Sequence, residues 1–286
     1  VCSSTKKLLV ALYVDDGLVA STDSEMLDTF MTNLREEFKI TEKEASYFLG
    51  LEIKQREDGS ITVGQAAYTE KLLKRFGMDE CKPAPTPIIK DGESDTNSTQ
   101  TEEKKSFPYR ECVGGLMYLM TGTRPDIAYA VGKASRSLEN PTFEDWIKVK
   151  RILQYFKGTV DYALEYKYNH ESGIPECYSD ADHAGDSSTG RSTSGAVCVY
   201  SGAAISWFSV RQTSVAISST EAEIVAASEA CKEIVWLTRL LKEITVLKKK
   251  PILNIDNISA KHLSENPENH RRTKHIRTRH FFVREL

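Results

Sequence analysis

The chain alternates short apolar runs, bounded by turn residues, with longer stretches of helical spacing. Leu8 to Val14 is apolar, and the pattern resumes after Gly17 as Leu18-Val19-Ala20. That predicts strand, tight turn, strand, with Asp15 and Asp16 on the bend. Thr22 to Ile40 has Met26, Phe30, Leu34 and Phe38 on one stripe, which predicts an amphipathic helix opened by a Thr22–Glu25 capping box. Tyr47 to Ile53 reads as a strand, turned by Asp58-Gly59 into a second strand, Ile61 to Val63. Ala66 to Phe76 reads as a short helix stopped by Gly77.

Pro83, Pro85 and Pro87 then break the pattern, and Asp91 to Lys105 is polar, charged and without apolar period. It predicts a linker or exposed loop. Three helices follow, Tyr109 to Met120, Asp126 to Leu138 and Phe143 to Phe156, whose apolar residues are packing residues. The last region reads as a strand from Ile174 to Asp180, then a hairpin of Ala196 to Tyr200 and Ala203 to Phe208 turning at Ser201-Gly202. A long helix, Ser219 to Ile244, and a strand, Ile252 to Asp256, complete it. Three antiparallel strands, a crossover helix and a fourth strand parallel to the first form one α/β sheet, and a right-handed crossover places the helix on one face.

Length and composition permit this reading without sharpening it. The 286 residues suffice for two compact domains, and 40% hydrophobic with 28% charged residues is ordinary for a globular protein. The net charge of −3 hides an asymmetry: His270 to Leu286 holds six Lys or Arg, three His and one acid. Such a patch suits phosphate contact whatever the whole-chain charge, although a solvated terminus has the same composition. The cysteines (Cys2, Cys81, Cys112, Cys177, Cys198, Cys231) are scattered with no CxxC pair, so the expectation is reduced, buried thiols rather than zinc or a disulfide framework. No secretory leader is recognisable, and no apolar run approaches the ~20 residues that span a bilayer. A cytoplasmic protein is expected.

The candidate chemistry is acidic. Asp15 and Asp16 are adjacent carboxylates, costly to hold together unless a hard divalent cation neutralises them. An ordinary Asp-Gly hairpin is the alternative. Asp180 ends one predicted strand and Asp256 ends its parallel neighbour, so the two converge. Glu223 lies on the helix stripe with Ala227, Ala230 and Ile234 that faces the sheet, and a carboxylate there wants a cation. Glu221 has capping-box spacing from Ser218 and hence a structural task. Asp182 and Asp186 read as loop acids, and Trp207 and Arg211, beside the hairpin, as packing and surface residues, with substrate contact as the alternative.

Tyr13-Val-Asp-Asp16 resembles the catalytic hairpin of reverse transcriptases. Tyr47-Phe-Leu-Gly-Leu-Glu-Ile53, Thr123-Arg-Pro-Asp-Ile-Ala128, Tyr178-Ser-Asp-Ala-Asp182 and Ser218-Ser-Thr-Glu-Ala-Glu223 resemble, in order, landmarks of the Ty1/copia class of retrotransposon Pol polyproteins. The resemblance covers nearly the whole chain. It implies a mixed α/β (α+β) fold. Residues 1–90 would be the C-terminal palm and the thumb part of a reverse transcriptase, 91–105 a linker, 106–170 a helical connection, and 171–286 a ribonuclease H-like domain.

The implied activities are RNA-directed DNA synthesis and hydrolysis of the RNA strand of RNA–DNA hybrids. Mg²⁺, with Mn²⁺ as a substitute, would be held by Asp15 and Asp16 in the first site and by Asp180, Glu223 and Asp256 in a two-metal second site. Phe48, Leu49 and Gly50 fall in the primer-grip region. Arg271, Arg272, Lys274, Arg277 and Arg279 would contact nucleic acid, with His275 and His280 either in the same phosphate-facing strip or serving as metal ligands or a proton shuttle. Partners are an RNA template, a DNA primer and the hybrid, with dNTP only in the full-length enzyme, and a virus-like particle is the implied location.

No acid occurs among residues 1–14, so the third polymerase carboxylate is missing, and the chain alone is expected not to polymerise. It also stops before the fifth strand and last helix of the nuclease pattern. The alternative is a catalytically inactive, retrotransposon-derived nucleic-acid-binding relic. A stand-alone Mg²⁺ nuclease is a third reading.

Overall fold

A computed structural model describes residues 6–89, 107–168, 175–247 and 249–265. The linker expected at 91–105 and the basic strip with Arg271, Arg272, Lys274, His275, Arg277, Arg279 and His280 lie outside the described residues.

Strands β1 (Leu8–Tyr13) and β2 (Asp16–Ser21) form an antiparallel hairpin. Helix α1 (Ser24–Glu37) follows, and its stripe is only half covered: none of its residues is buried. Its N-cap is Asp23, whose carboxylate accepts from the Met26 N–H at 2.9 Å, not the expected Thr22. Asp is as good a cap as Thr, and Thr22 Oγ1 instead accepts from the backbone of Lys7.

The strand expected over Tyr47 to Ile53 is broken. Leu49 and Gly50 both take positive φ (51° and 82°), which turns β3 (Tyr47–Phe48) back on β4 (Leu51–Gln55). A side chain at Gly50 would collide with the Tyr118 hydroxyl, so glycine is required there by conformation and by space. β5 (Ile61–Gly64) continues the sheet, and α2 (Ala66–Arg75) ends where Gly77 adopts φ 62°.

Helices α3 (Tyr109–Gly122), α4 (Ala128–Ala134) and α5 (Phe143–Gly158) pack with α2 around one core. Leu72, Leu116, Val131, Leu153 and Phe156 are among its buried residues. The single helix expected over Asp126 to Leu138 is shortened, with 3₁₀ turns at Pro125–Ile127 and Ser135–Ser137 on either side of α4. Pro125 lacks the N–H a longer helix would use. The sequence pattern also missed β6 (Leu164–Tyr166), which pairs with β5 and gives the order β3-β4-β5-β6.

The second four-stranded sheet has the order β10-β7-β8-β9. β7 (Glu176–Ala181), β8 (Thr193–Tyr200) and β9 (Ala203–Arg211) are antiparallel in sequence, and β10 (Ile252–Ile255) runs parallel to β7. Helix α6 (Ser219–Ile244) covers one face, with Ile234 and Leu237 over Cys177 and Cys198. A short helix, α7 (Ile258–Glu265), follows β10.

The β7–β8 register sets Cys177 opposite Cys198, and the structure joins them as a disulfide with Cα atoms 4.0 Å apart. This corrects the expectation of reduced thiols. The pairing arises from strand register across 21 residues, a separation with no local signature. Cys81, Cys112 and Cys231 are free thiols.

The helical core is bonded to this sheet. The Trp207 indole N–H donates to the Met120 carbonyl at 2.8 Å, and the buried Asp186 carboxylate accepts from Arg211 at 2.6 Å and from Arg136 at 3.5 Å. The Ser188 hydroxyl and the Arg211 guanidinium hold the Asp186 carboxyl well below the usual carboxylate range. Asp182 accepts from the Thr193 backbone N–H. Asp182 and Asp186 therefore organise the loop after β7, Arg211 is ion-paired to Asp186, and Trp207 is bonded to the helical core.

Candidate metal centre

Three elements supply the acids. Asp180 is the fifth residue of β7, opposite Gly195 on β8. Ile255 of β10 pairs with Ser179, so one register step further sets Asp256 beside Asp180. Glu223 comes from the N-terminal part of α6, which begins where the Ser218 hydroxyl accepts from the Glu221 N–H at 3.1 Å. The Glu221 carboxylate accepts from Ile217, one residue before the cap, rather than from Ser218. Ala222, Ala226, Ala227 and Ala230 keep the α6 backbone close to the sheet, and the same face carries Glu223 inward.

One oxygen from each of Asp180, Glu223 and Asp256 lies within 4.8 Å of the others. Asp180 and Asp256 are exposed and Glu223 is buried. Glu223 Oε1 accepts a long bond, 3.4 Å, from the Ala181 N–H, while Oε2 is buried without a hydrogen-bond partner. Burial pushes the Glu223 carboxyl up to about 7, and the charges of Asp180 and Asp256 add to the rise. An all-oxygen set of clustered carboxylates with one orphaned oxygen fits a hard divalent cation such as Mg²⁺ or Mn²⁺. A bound cation would offset both the desolvation of Glu223 and the mutual repulsion.

The other predicted residues lie elsewhere. Asp15 sits on the β1–β2 bend after Val14, which adopts φ 52°, and Asp16 is the first residue of β2, paired with Tyr13, rather than on the bend. Both acids are exposed. Among the described residues, no group of three metal-capable side chains includes them. Phe48 is half-buried, and Leu49, exposed, offers its carbonyl to the Tyr118 hydroxyl at 3.3 Å.

One residue beside the centre escaped the sequence reading. Gln212 is buried, follows β9 and bonds to the first turns of α6. A single Gln after a strand has no pattern that distinguishes it.

A family profile described as "Reverse transcriptase (RNA-dependent DNA polymerase)" matches residues 2–90. The chain is 39% identical over 291 residues to the retrovirus-related Pol polyprotein from transposon TNT 1-94 of Nicotiana tabacum, covering 99% of this chain and 22% of that protein. It is 36% identical to the corresponding polyprotein from transposon RE2 of Arabidopsis thaliana (97% of this chain, 19% of the relative). The RE1 polyprotein of the same plant is 37% identical (96% and 18%). The chain belongs to the copia-type retrotransposon Pol polyproteins. It spans about a fifth of the length of these Pol relatives. The profile covers the β1–β2 hairpin through the chain just past α2, whereas the match to the tobacco polyprotein covers 99% of the chain. Among the described residues, no helix is long and apolar enough to cross a membrane.

Proposed function

We propose that the sheet β10-β7-β8-β9 with α6 is a Mg²⁺-dependent nuclease that hydrolyses the RNA strand of RNA–DNA hybrids within a retrotransposon reverse transcriptase. The observation that carries this reading is the convergence of Asp180, Glu223 and Asp256 to within 4.8 Å. When bound, the divalent ion supplies Lewis acidity toward the phosphodiester and its attacking water. Asp180 and Asp256, exposed at the strand ends, would hold the ion where a nucleic-acid backbone can approach. Glu223, buried on a long helix, would be the third ligand. The kinship with Pol polyproteins supports an RNA–DNA hybrid as the substrate class, and such a hybrid would be told from other duplexes by backbone shape and 2′-hydroxyl contacts. In the same polyprotein, the Asp15–Asp16 hairpin would contribute two carboxylates to RNA-directed DNA synthesis on an RNA template, a DNA primer and dNTP.

The test is cleavage of a labelled RNA–DNA hybrid by the purified chain with Mg²⁺, with EDTA, and as Asp180→Asn. Metal-dependent cleavage that Asp180→Asn lowers at least about a thousandfold supports the reading, since a lost ion removes several kcal/mol of transition-state stabilisation. A folded chain that retains hybrid binding but never cleaves is instead a catalytically inactive binding protein.

A further inference from the structure

Gln212 stands at a junction of three elements. Its backbone N–H donates to the Ser192 carbonyl at 2.8 Å, just before β8. Its side-chain amide nitrogen spends both hydrogens, on Ser194 Oγ at 3.0 Å and on the Ala222 carbonyl at 2.9 Å. Ser194 pairs with Ala181 in the β7–β8 ladder, and Ala181 donates its N–H to Glu223 Oε1. Ala222 precedes Glu223. These contacts close a ring: Gln212 to Ala222 and Glu223, Glu223 to Ala181, Ala181 across the ladder to Ser194, and Ser194 back to Gln212.

The ring spans both ends of the connection between β9 and α6. A helix that meets a sheet only through apolar contacts can slide or rotate slightly, because those contacts are non-directional. A buried, two-pronged amide fixes it in register. Gln212 itself reaches neither Asp180 nor Asp256 by any hydrogen bond among the described residues. Its effect on the metal centre therefore passes through the α6 backbone.

We infer that Gln212 is a positioning residue that sets the height and rotation of Glu223 over the sheet and thereby the divalent-ion affinity of the Asp180–Glu223–Asp256 centre. This rests on the metal-centre reading above. Groups that orient metal ligands typically contribute 10- to 100-fold in affinity.

The experiment is calorimetric titration of the whole chain with Mn²⁺, with thermal melting recorded in EDTA, for wild type, Asp180→Asn, Gln212→Ala, Gln212→Met and Ser194→Ala. Met matches the length of Gln without a donor, so it separates loss of the hydrogen bonds from loss of volume. The expected result is Mn²⁺ binding weakened about tenfold or more in both Gln212 variants, weakened less in Ser194→Ala and abolished in Asp180→Asn, with Gln212→Met melting within a few degrees of wild type. Wild-type Mn²⁺ affinity in a Gln212→Met chain, whatever its melting temperature, would overturn the inference and leave the metal centre standing. No Mn²⁺ binding by wild type would overturn the centre and the inference together.

Discussion

The Ala181 backbone N–H meets Glu223 Oε1 at 3.4 Å, while Glu223 Oε2 is buried with no partner. A strand end thus half-satisfies a helix carboxylate that has two more acids close by.

The first prediction concerns pH. The folded-state value for Glu223 is about 7, above its ordinary 4.5, so the fold prefers the protonated form. The cost of ionising it appears above about 4.5 and is complete above 7. In EDTA, the melting temperature should fall between pH 5 and pH 8 by a few degrees more in wild type than in Glu223→Gln. Mg²⁺ should restore wild type at pH 8 and have little effect on the variant. Parallel pH slopes in the two proteins would refute this.

A second prediction concerns Arg124, which is 2% exposed. Its guanidinium forks onto Asp126, donates to the carbonyl and hydroxyl of Thr159, and lies 4.4 Å from the Phe156 ring centre. Arg124→Ala should destabilise the chain by about 3 kcal/mol in urea unfolding, because breaking a buried pair strands its partners. Arg124→Lys should recover only part of that, as an ammonium cannot reproduce the fork. Equal stability of Lys and wild type would count against the planar contacts.

Asp186 joins the β10-β7-β8-β9 sheet to the helical core through Arg211 and Arg136. Its folded pKa is depressed, so its stabilising contribution is present above the unfolded value of about 3.8 and is lost as pH falls below it. Asp186→Asn should therefore lower the melting temperature at pH 7 and speed protease cleavage within residues 182–191. The deficit should shrink toward pH 2, and a deficit independent of pH would mean the carboxylate charge is irrelevant.

The Cys177–Cys198 bond closes a loop of 21 residues, for which chain entropy gives about 3 kcal/mol. Both sulfurs are buried. Dithiothreitol should leave the native bond intact for long periods and act quickly once denaturant opens the sheet. Cys198→Ala should melt several degrees lower. Mass mapping under non-reducing conditions checks the pairing, and two free thiols at these positions would contradict it.

How much of this was legible beforehand divides along physical lines. The α6 span from Ser219 to Ile244 was read from a capping serine and a helical period, both local signals. Asp180 and Asp256 are legible from topology, because they end neighbouring parallel strands, and Glu223 from its place on the sheet-facing stripe of α6. Leu49 was opaque, since a non-glycine residue at positive φ is stabilised by its surroundings, here Tyr118. β6 was opaque because three residues have no measurable alternation. Gln212 and Cys177 owe their roles to partners far along the chain, which no window of sequence contains.

The pairing of β6 with β5 has a consequence for synthesis. Val63 and Leu164 are partners about a hundred residues apart. A ribosome that has released β5 has not yet made the strand that covers its open edge, and must first deliver all of α3, α4 and α5. During that interval the nascent sheet displays an unpaired ladder of backbone donors and acceptors. Cutting the gene between the hairpin and α5 would make that transient state permanent, so a front half made alone should seek another strand to pair with.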